Sequence, residues 1–172
     1  MIDVLLACSP DRIIPEPVMS SILMQDVPVT VFICHHEGGG AWKARNYLQD
    51  VWENLPNRND DTGLVLTMDN DIVLPQGSLA KLVKFLNQHD DFGAIGISKQ
   101  YSPIREVDEK VHIDAAPVLY RNEVYGRLRY STTHSCECLQ MTKDVRSMGY
   151  RMGFIGGLKC QHIEETRVNY GQ

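Results

Sequence analysis

Through its first hundred residues the chain alternates short continuous apolar runs with stretches whose apolar positions recur every three or four residues. Ile2 to Cys8 is the first run and has the character of a strand. Pro15 to Gln25 follows as a helix, with a proline-bounded start and apolar residues at Val18, Ile22 and Leu23. Val29 to Cys34 is a β-branched strand, and Ala41 to Asn54 a helix with Ala44, Leu48 and Val51 among its apolar positions. Between them His35-His36-Glu37-Gly38-Gly39-Gly40 must be a loop, because three consecutive glycines hold neither a helix nor a strand. Gly63 to Met68 is nearly all apolar, as expected of a strand buried on both faces. Ser78 then caps an amphipathic helix carrying Leu79, Leu82, Val83 and Leu86 on one face, and Phe92 to Ser98 is a fourth strand. This β-α-β-α-β-α-β order predicts an α/β fold with a mostly parallel sheet and flanking helices.

The second half has a different texture. Val111 to Tyr120 and Val124 to Tyr130 have strand character and are joined by a polar turn at Arg121-Asn122-Glu123. Cys136 to Met148 is a helix ending at Gly149. Arg151 to His162 suggests a last strand, weakened by Gly153, Gly156 and Gly157. No repeat, low-complexity segment or linker interrupts the chain, so a single domain over residues 1–172 is expected.

At 172 residues there is room for one substantial core. The formal charge of −5 argues against a chain that grips nucleic acid over its whole surface and leaves a local basic patch open. No apolar run approaches the roughly 18 residues of a membrane span, and the start lacks a basic leader, so it is expected to be a first strand and not a signal peptide. Five cysteines, an odd number with Cys8 and Cys34 inside expected strands, suit reduced thiols and a cytoplasmic location.

The chemistry concentrates in Leu66-Thr67-Met68-Asp69-Asn70-Asp71-Ile72-Val73-Leu74-Pro75. Asp69 and Asp71 stand at the carboxyl end of a buried strand, where open α/β sheets bind ligands. Two carboxylates there repel each other unless a cation lies between them, and hard oxygen ligands suit Mg²⁺ or Mn²⁺. The plain alternative is an acidic turn.

Several features occur in one order: a first strand ending in Ser9-Pro10, Ala44-Arg45-Asn46 on a helix, Asp69-Asn70-Asp71 with Leu74-Pro75 behind it, Gly149-Tyr150-Arg151 and His162. Together they resemble glycosyltransferase family 2 and its GT-A (Rossmann-like) fold, closely from about Gly40 to Leu86 and loosely elsewhere. The resemblance implies a nucleotide-sugar-binding half over about 1–100 and an acceptor-side half over about 101–172. It also implies a DxD motif at Asp69 and Asp71 that holds Mn²⁺ or Mg²⁺ on the donor diphosphate, with His162 as a third metal ligand. Ser9, His36, Arg45, Asp69 and Asn70 are then the donor-binding residues. The donor is a nucleotide sugar, UDP-linked as a first guess, and transfer inverts the anomeric centre. Glu137, twelve residues before Gly149, takes the place of the first acid of the family's ED pair. Cys138 stands where the second acid belongs, and His35-His36-Glu37 replaces the usual aspartate after the second strand. The chain is short for the family, which leaves room for a homo-oligomer or partner domain to complete the site of an acceptor not yet identified.

Glycosyl transfer needs a group to take the proton of the acceptor hydroxyl. Glu137 is the first candidate base and Asp114 the second. Two other readings stay open. His134, Cys136, Cys138, Cys160 and His162 contain enough ligands for a structural zinc site, and the chain could bind a nucleotide sugar without turning it over.

Overall fold

The computed structural model describes residues 1–8, 12–35, 41–55, 63–97, 107–109, 117–131 and 137–163; at residues 41, 107–109 and 137 only the backbone is described. In chain order the elements are β1 (Ile2–Cys8), α1 (Glu16–Leu23), β2 (Val29–His35), α2 (Ala41–Glu53), β3 (Leu64–Asp69), β4 (Ile72–Val73) and α3 (Ser78–Gln88). Then come β5 (Phe92–Ile97), β6 (Val107–Glu109), β7 (Val118–Arg121), α4 (Asn122–Tyr125), α5 (Glu137–Ser147), β8 (Arg151–Ile155) and β9 (Gln161–His162).

Seven strands form one sheet in the order β2-β1-β3-β7-β5-β8-β6, and β4 pairs with β9 in a separate two-stranded sheet. In the large sheet β2, β1, β3, β5 and β8 point one way, while β7 and β6 run against them. The alternation predicted for the first hundred residues is therefore present, and strands from both halves share the sheet.

Each central strand feeds two cores because successive side chains point to opposite faces. Leu64, Leu66 and Met68 of β3 join Val18 and Ile22 of α1 and Leu79, Leu82 and Leu86 of α3. Val65 faces the other way, toward Leu48 and Trp52 of α2, Val124 and Tyr125 of α4, and Met141 and Val145 of α5. Burial of so many aliphatic side chains, at ~1.5–3 kcal/mol each, is what holds the three layers together. Among the described residues no helix is long and apolar enough to cross a membrane.

Four expectations are corrected. Ser78 is not the cap of α3: Gly77 holds that position with φ of 68° and no side-chain cap bond. The buried Gln25 does the capping instead, its Oε1 accepting from the Leu79 N–H at 3.1 Å. The strand expected over Val124 to Tyr130 opens as the short helix α4. The expected last strand is split into β8 and β9 by a turn in which Gly157 has φ of 74°. Finally, Cys8, Cys34 and Cys160 are buried and form no disulfide, as expected of reduced thiols, but Cys138 is disulfide-bonded. An odd cysteine count says nothing about which thiols the fold brings together, and cysteine usage no longer argues for a reducing compartment.

Candidate functional site

The order of the sheet reverses at β1. The chain steps outward to β2 and then returns to lay β3 on the other flank, so a crevice opens at the carboxyl ends of β1 and β3. Asp69 is the last residue of β3 and lies beside Ala7 in the parallel register. The chain turns through Asn70 and Asp71 into β4, and β4 pairs antiparallel with β9, Ile72 opposite His162. Ile163 N–H donates to the Asp71 carbonyl at 2.7 Å. A residue ninety positions away is thus fixed beside Asp71 by two rungs of sheet.

The side chains converge accordingly. His162 Nε2 is 3.0 Å from Asp71 Oδ2. Arg12 Nη1 lies 3.9 Å from the same oxygen. The loop carrying Arg12 is held by Asn70, whose Nδ2 donates to the Ile13 carbonyl at 2.9 Å. Asp71 keeps only 14% of its side chain exposed. Its second oxygen, Oδ1, is buried and has no hydrogen-bond partner. A buried carboxylate oxygen left unmatched costs on the order of 1–3 kcal/mol or more, so such atoms call for an explanation.

Asp69 is anchored from α2. Arg45, only 7% exposed, donates from Nη2 to Asp69 Oδ1. Its guanidinium carbon sits 5.4 Å from the centroid of the Tyr130 ring. Asn46 fixes that ring's backbone with a reciprocal pair, Nδ2 to the Tyr130 carbonyl at 2.8 Å and Tyr130 N–H to Oδ1 at 2.9 Å. Two carboxylates at one sheet edge are therefore each matched by basic groups, Asp69 by Arg45 and Asp71 by Arg12 and His162.

Of the residues singled out from the sequence, the structure brings together Asp71 and His162, and separately Arg45 and Asp69. Asn70 is buried with its amide spent on the Ile13 loop. Glu137 is the first residue of α5. Ser9, His36 and Asp114, and the Gly38-Gly39-Gly40 loop, lie outside the described residues. Arg12 was not foreseen; its position just past the carboxyl end of β1 was the available signal. Tyr130 was equally invisible, since its place against Arg45 depends on the path of the chain after α4. For zinc, Cys138 is withdrawn by its disulfide, and His134 and Cys136 lie outside the described residues. Among the described residues no three His, Cys, Asp or Glu side chains are gathered as a metal cluster.

Solved structures share this architecture. The crystal structure of A197 from STIV superposes with a TM-score of 0.68 at 12% identity, covering 96% of this chain and 87% of that one. S. aureus TarS 1-349 in complex with UDP-GlcNAc gives 0.64 at 13% identity, over 97% of this chain and 61% of that one. The mannosyltransferase PcManGT from Pyrobaculum calidifontis, in complex with GDP-Man and Mn²⁺, gives 0.64 at 16% identity, over 99% and 58%. This chain thus spans about three-fifths of the length of the latter two. No protein-family model and no curated protein sequence matches it. At these identities the likeness is one of fold: α/β of GT-A type, with a mixed, mostly parallel sheet and flanking helices.

Proposed function

We propose that this chain binds a nucleotide sugar at the carboxyl edge of β1 and β3 and transfers the sugar to an acceptor hydroxyl, using Mn²⁺ or Mg²⁺. The observation that carries the reading is the buried, unpartnered Asp71 Oδ1 beside His162 and Arg12. Its donor set, a carboxylate oxygen and an imidazole nitrogen, suits Mn²⁺. Asp71 and His162 would hold the cation, and Asp69, bound to Arg45, would support them. A cation held there stabilises the negative charge that grows on the leaving diphosphate.

The remaining work falls to this chain's own residues. Arg12 supplies positive charge at the same edge, where a bidentate guanidinium suits phosphate oxygens. Arg45 keeps Asp69 from swinging into the donor's place. Asn70 fixes the Arg12 loop so that the charge is already in position before the donor arrives, which avoids an ordering cost at binding. Glu137 at the head of α5 takes the acceptor proton, with Asp114 the alternative. A single displacement of this kind inverts the anomeric centre. UDP-GlcNAc and GDP-mannose are the first donors to try, because fold neighbours hold them.

The test is a panel of UDP-, GDP- and CMP-sugars, scored for Mn²⁺-dependent thermal stabilisation and for release of the nucleoside diphosphate. At about 100 times Kd a bound donor contributes ~2.7 kcal/mol to stability. For a chain of this length that is a rise of very roughly 5–11 °C in Tm. Stabilisation with nucleotide release supports transfer. Stabilisation without release, even with acceptors supplied, supports a binding module. No stabilisation by any donor refutes the site.

A further inference from the structure

Among the described strands β2 is an edge strand, and its own residues carry nothing that guards the edge. Its seven residues, Val29-Thr30-Val31-Phe32-Ile33-Cys34-His35, include no Asp, Glu, Lys, Arg or Pro, whereas monomeric proteins blunt such edges with charge, proline or bulges. The seven register pairs with β1 run without a shift. Ile2 N–H donates to the Pro28 carbonyl at 2.8 Å, and Ile2 lies opposite Val29. In a parallel ladder the residue bonds both neighbours of its opposite number. Pro28, Thr30, Phe32 and Cys34 therefore turn their backbone groups inward to β1. Val29, Val31, Ile33 and His35 turn theirs outward, where among the described residues no strand meets them.

The layer above this edge also exposes apolar side chains. α2 packs over both β1 and β2. One flank of α2 is committed inward: Asn46 bonds Tyr130, and Gln49 Nε2 donates to the carbonyls of Tyr125 and Leu128 at 2.9 and 3.0 Å. The opposite flank, on the β2 side, presents Tyr47 and Val51, one helical turn apart and 54% and 38% exposed. Ile33, on the β2 edge itself, is 44% exposed.

We propose that β2 is the seam of a homodimer, in which two copies of this chain join their sheets antiparallel about a two-fold axis. The geometry favours a second copy over an unrelated strand. With strands about 4.8 Å apart, the axis lies ~2.4 Å outside β2, and an α2 seated over the β1–β2 groove lies ~2.4 Å inside it. Doubling that sum places the two α2 helices roughly 10 Å apart, the spacing at which helices pack. The two-fold keeps both α2 helices on one face, so the Tyr47–Val51 flanks meet each other. The register that pairs all seven residues puts Phe32 opposite Phe32 of the partner subunit and Val31 opposite Ile33 of the partner subunit. Aromatic and β-branched cross-strand pairs of this kind favour the sheet. A seam of about 23 by 20 Å buries on the order of 500 Å² per copy, below the ~800 Å² of standard interfaces, so the dimer is reversible and of micromolar strength.

Sedimentation velocity on the intact chain, from about 1 to 200 µM, decides the matter, since this range brackets a micromolar Kd. The expected result is a shift from 19.5 kDa toward twice that mass as concentration rises. Tyr47→Lys with Val51→Lys sets four like charges across the seam and should weaken the dimer by at least about tenfold while leaving the circular dichroism unchanged. Ile33→Pro removes one outward N–H and should do the same; if it does not fold, Ile33→Lys takes its place. A wild-type chain that stays monomeric throughout, or a dimer that persists in either folded variant, overturns the proposal. Monomer formed in both, from a dimeric wild type, upholds it.

Discussion

Replacing Arg45 with Met tests the anchoring of Asp69 from α2. Met keeps an unbranched apolar stem and loses the guanidinium. Three contributions set the size of the effect. The charge-assisted hydrogen bond to Asp69 is worth ~1.5–3 kcal/mol, and the approach to the Tyr130 ring adds about 0.5–1 kcal/mol. Against these, the wild-type Arg45 pays for its desolvation, a cost that Met avoids and that buried ion pairs recover only in part. Asp69 keeps 27% of its side chain exposed, so water can partly replace the lost partner. The net loss should be about 1–3 kcal/mol, a fall of roughly 2–12 °C in Tm for a domain of this size. A double-mutant cycle with Asp69→Asn, read by urea unfolding, isolates the pair and should return a coupling of ~1.5–3 kcal/mol. If Arg45 acts on the diphosphate alone and its contact with Asp69 is incidental, the coupling falls below about 0.5 kcal/mol, the limit for independent sites, and the anchoring argument fails.

Three further outcomes are expected. Glu137→Gln should leave donor binding intact and lower turnover by ~10²–10⁴-fold, the usual share of a positioned base; a loss of only 0.3–1 kcal/mol in stability with turnover unchanged would mark Glu137 as a helix-start acid and transfer the role to Asp114. Thiol titration of the denatured, unreduced chain should find fewer than its five cysteines, because Cys138 is disulfide-bonded, and all five after reduction; in the native state Cys34 should react slowly, since burial pushes its thiol up. Gly149 adopts φ of 89° after α5, so Gly149→Ala should cost on the order of 1–2 kcal/mol in unfolding free energy, and an unchanged midpoint would show that the turn relaxes freely.

The strands and helices up to β5, the two-residue β4 excepted, were legible because each apolar run is continuous and each helix repeats on one face, so local pattern and final environment agree. The position of Asp69 at the end of β3, with Asp71 in the turn after it, was legible for the same reason: the apolar run stops there. The second half was harder. Val124, Leu128 and Tyr130 are buried while Arg127 and Arg129 are exposed, an alternation that mimics a strand. Tyr125 is buried as well, against Trp52 with ring centroids 5.6 Å apart, and that contact draws the segment into α4. Arg121 has the look of a solvated loop residue. In the fold it closes the end of α3, donating from Nη2 to the Leu86 carbonyl at 2.6 Å and from Nε to the Phe92 carbonyl at 2.8 Å. The meeting of Arg12 with Asp71, and of Arg45 with Tyr130, depends on loop paths that no local periodicity encodes.

The central claim is that Asp71 and His162 hold the cation that binds the donor. Calorimetric titration of the nucleotide sugar selected by the stability panel tests it most directly, on wild type and Asp71→Asn, with Mn²⁺ and with the metal chelated. The amide keeps the shape of the side chain and removes the charge. The account predicts donor binding by wild type with Mn²⁺, none detectable when the metal is chelated, and none by Asp71→Asn despite a wild-type unfolding transition. Wild-type affinity in Asp71→Asn with Mn²⁺ present would contradict it.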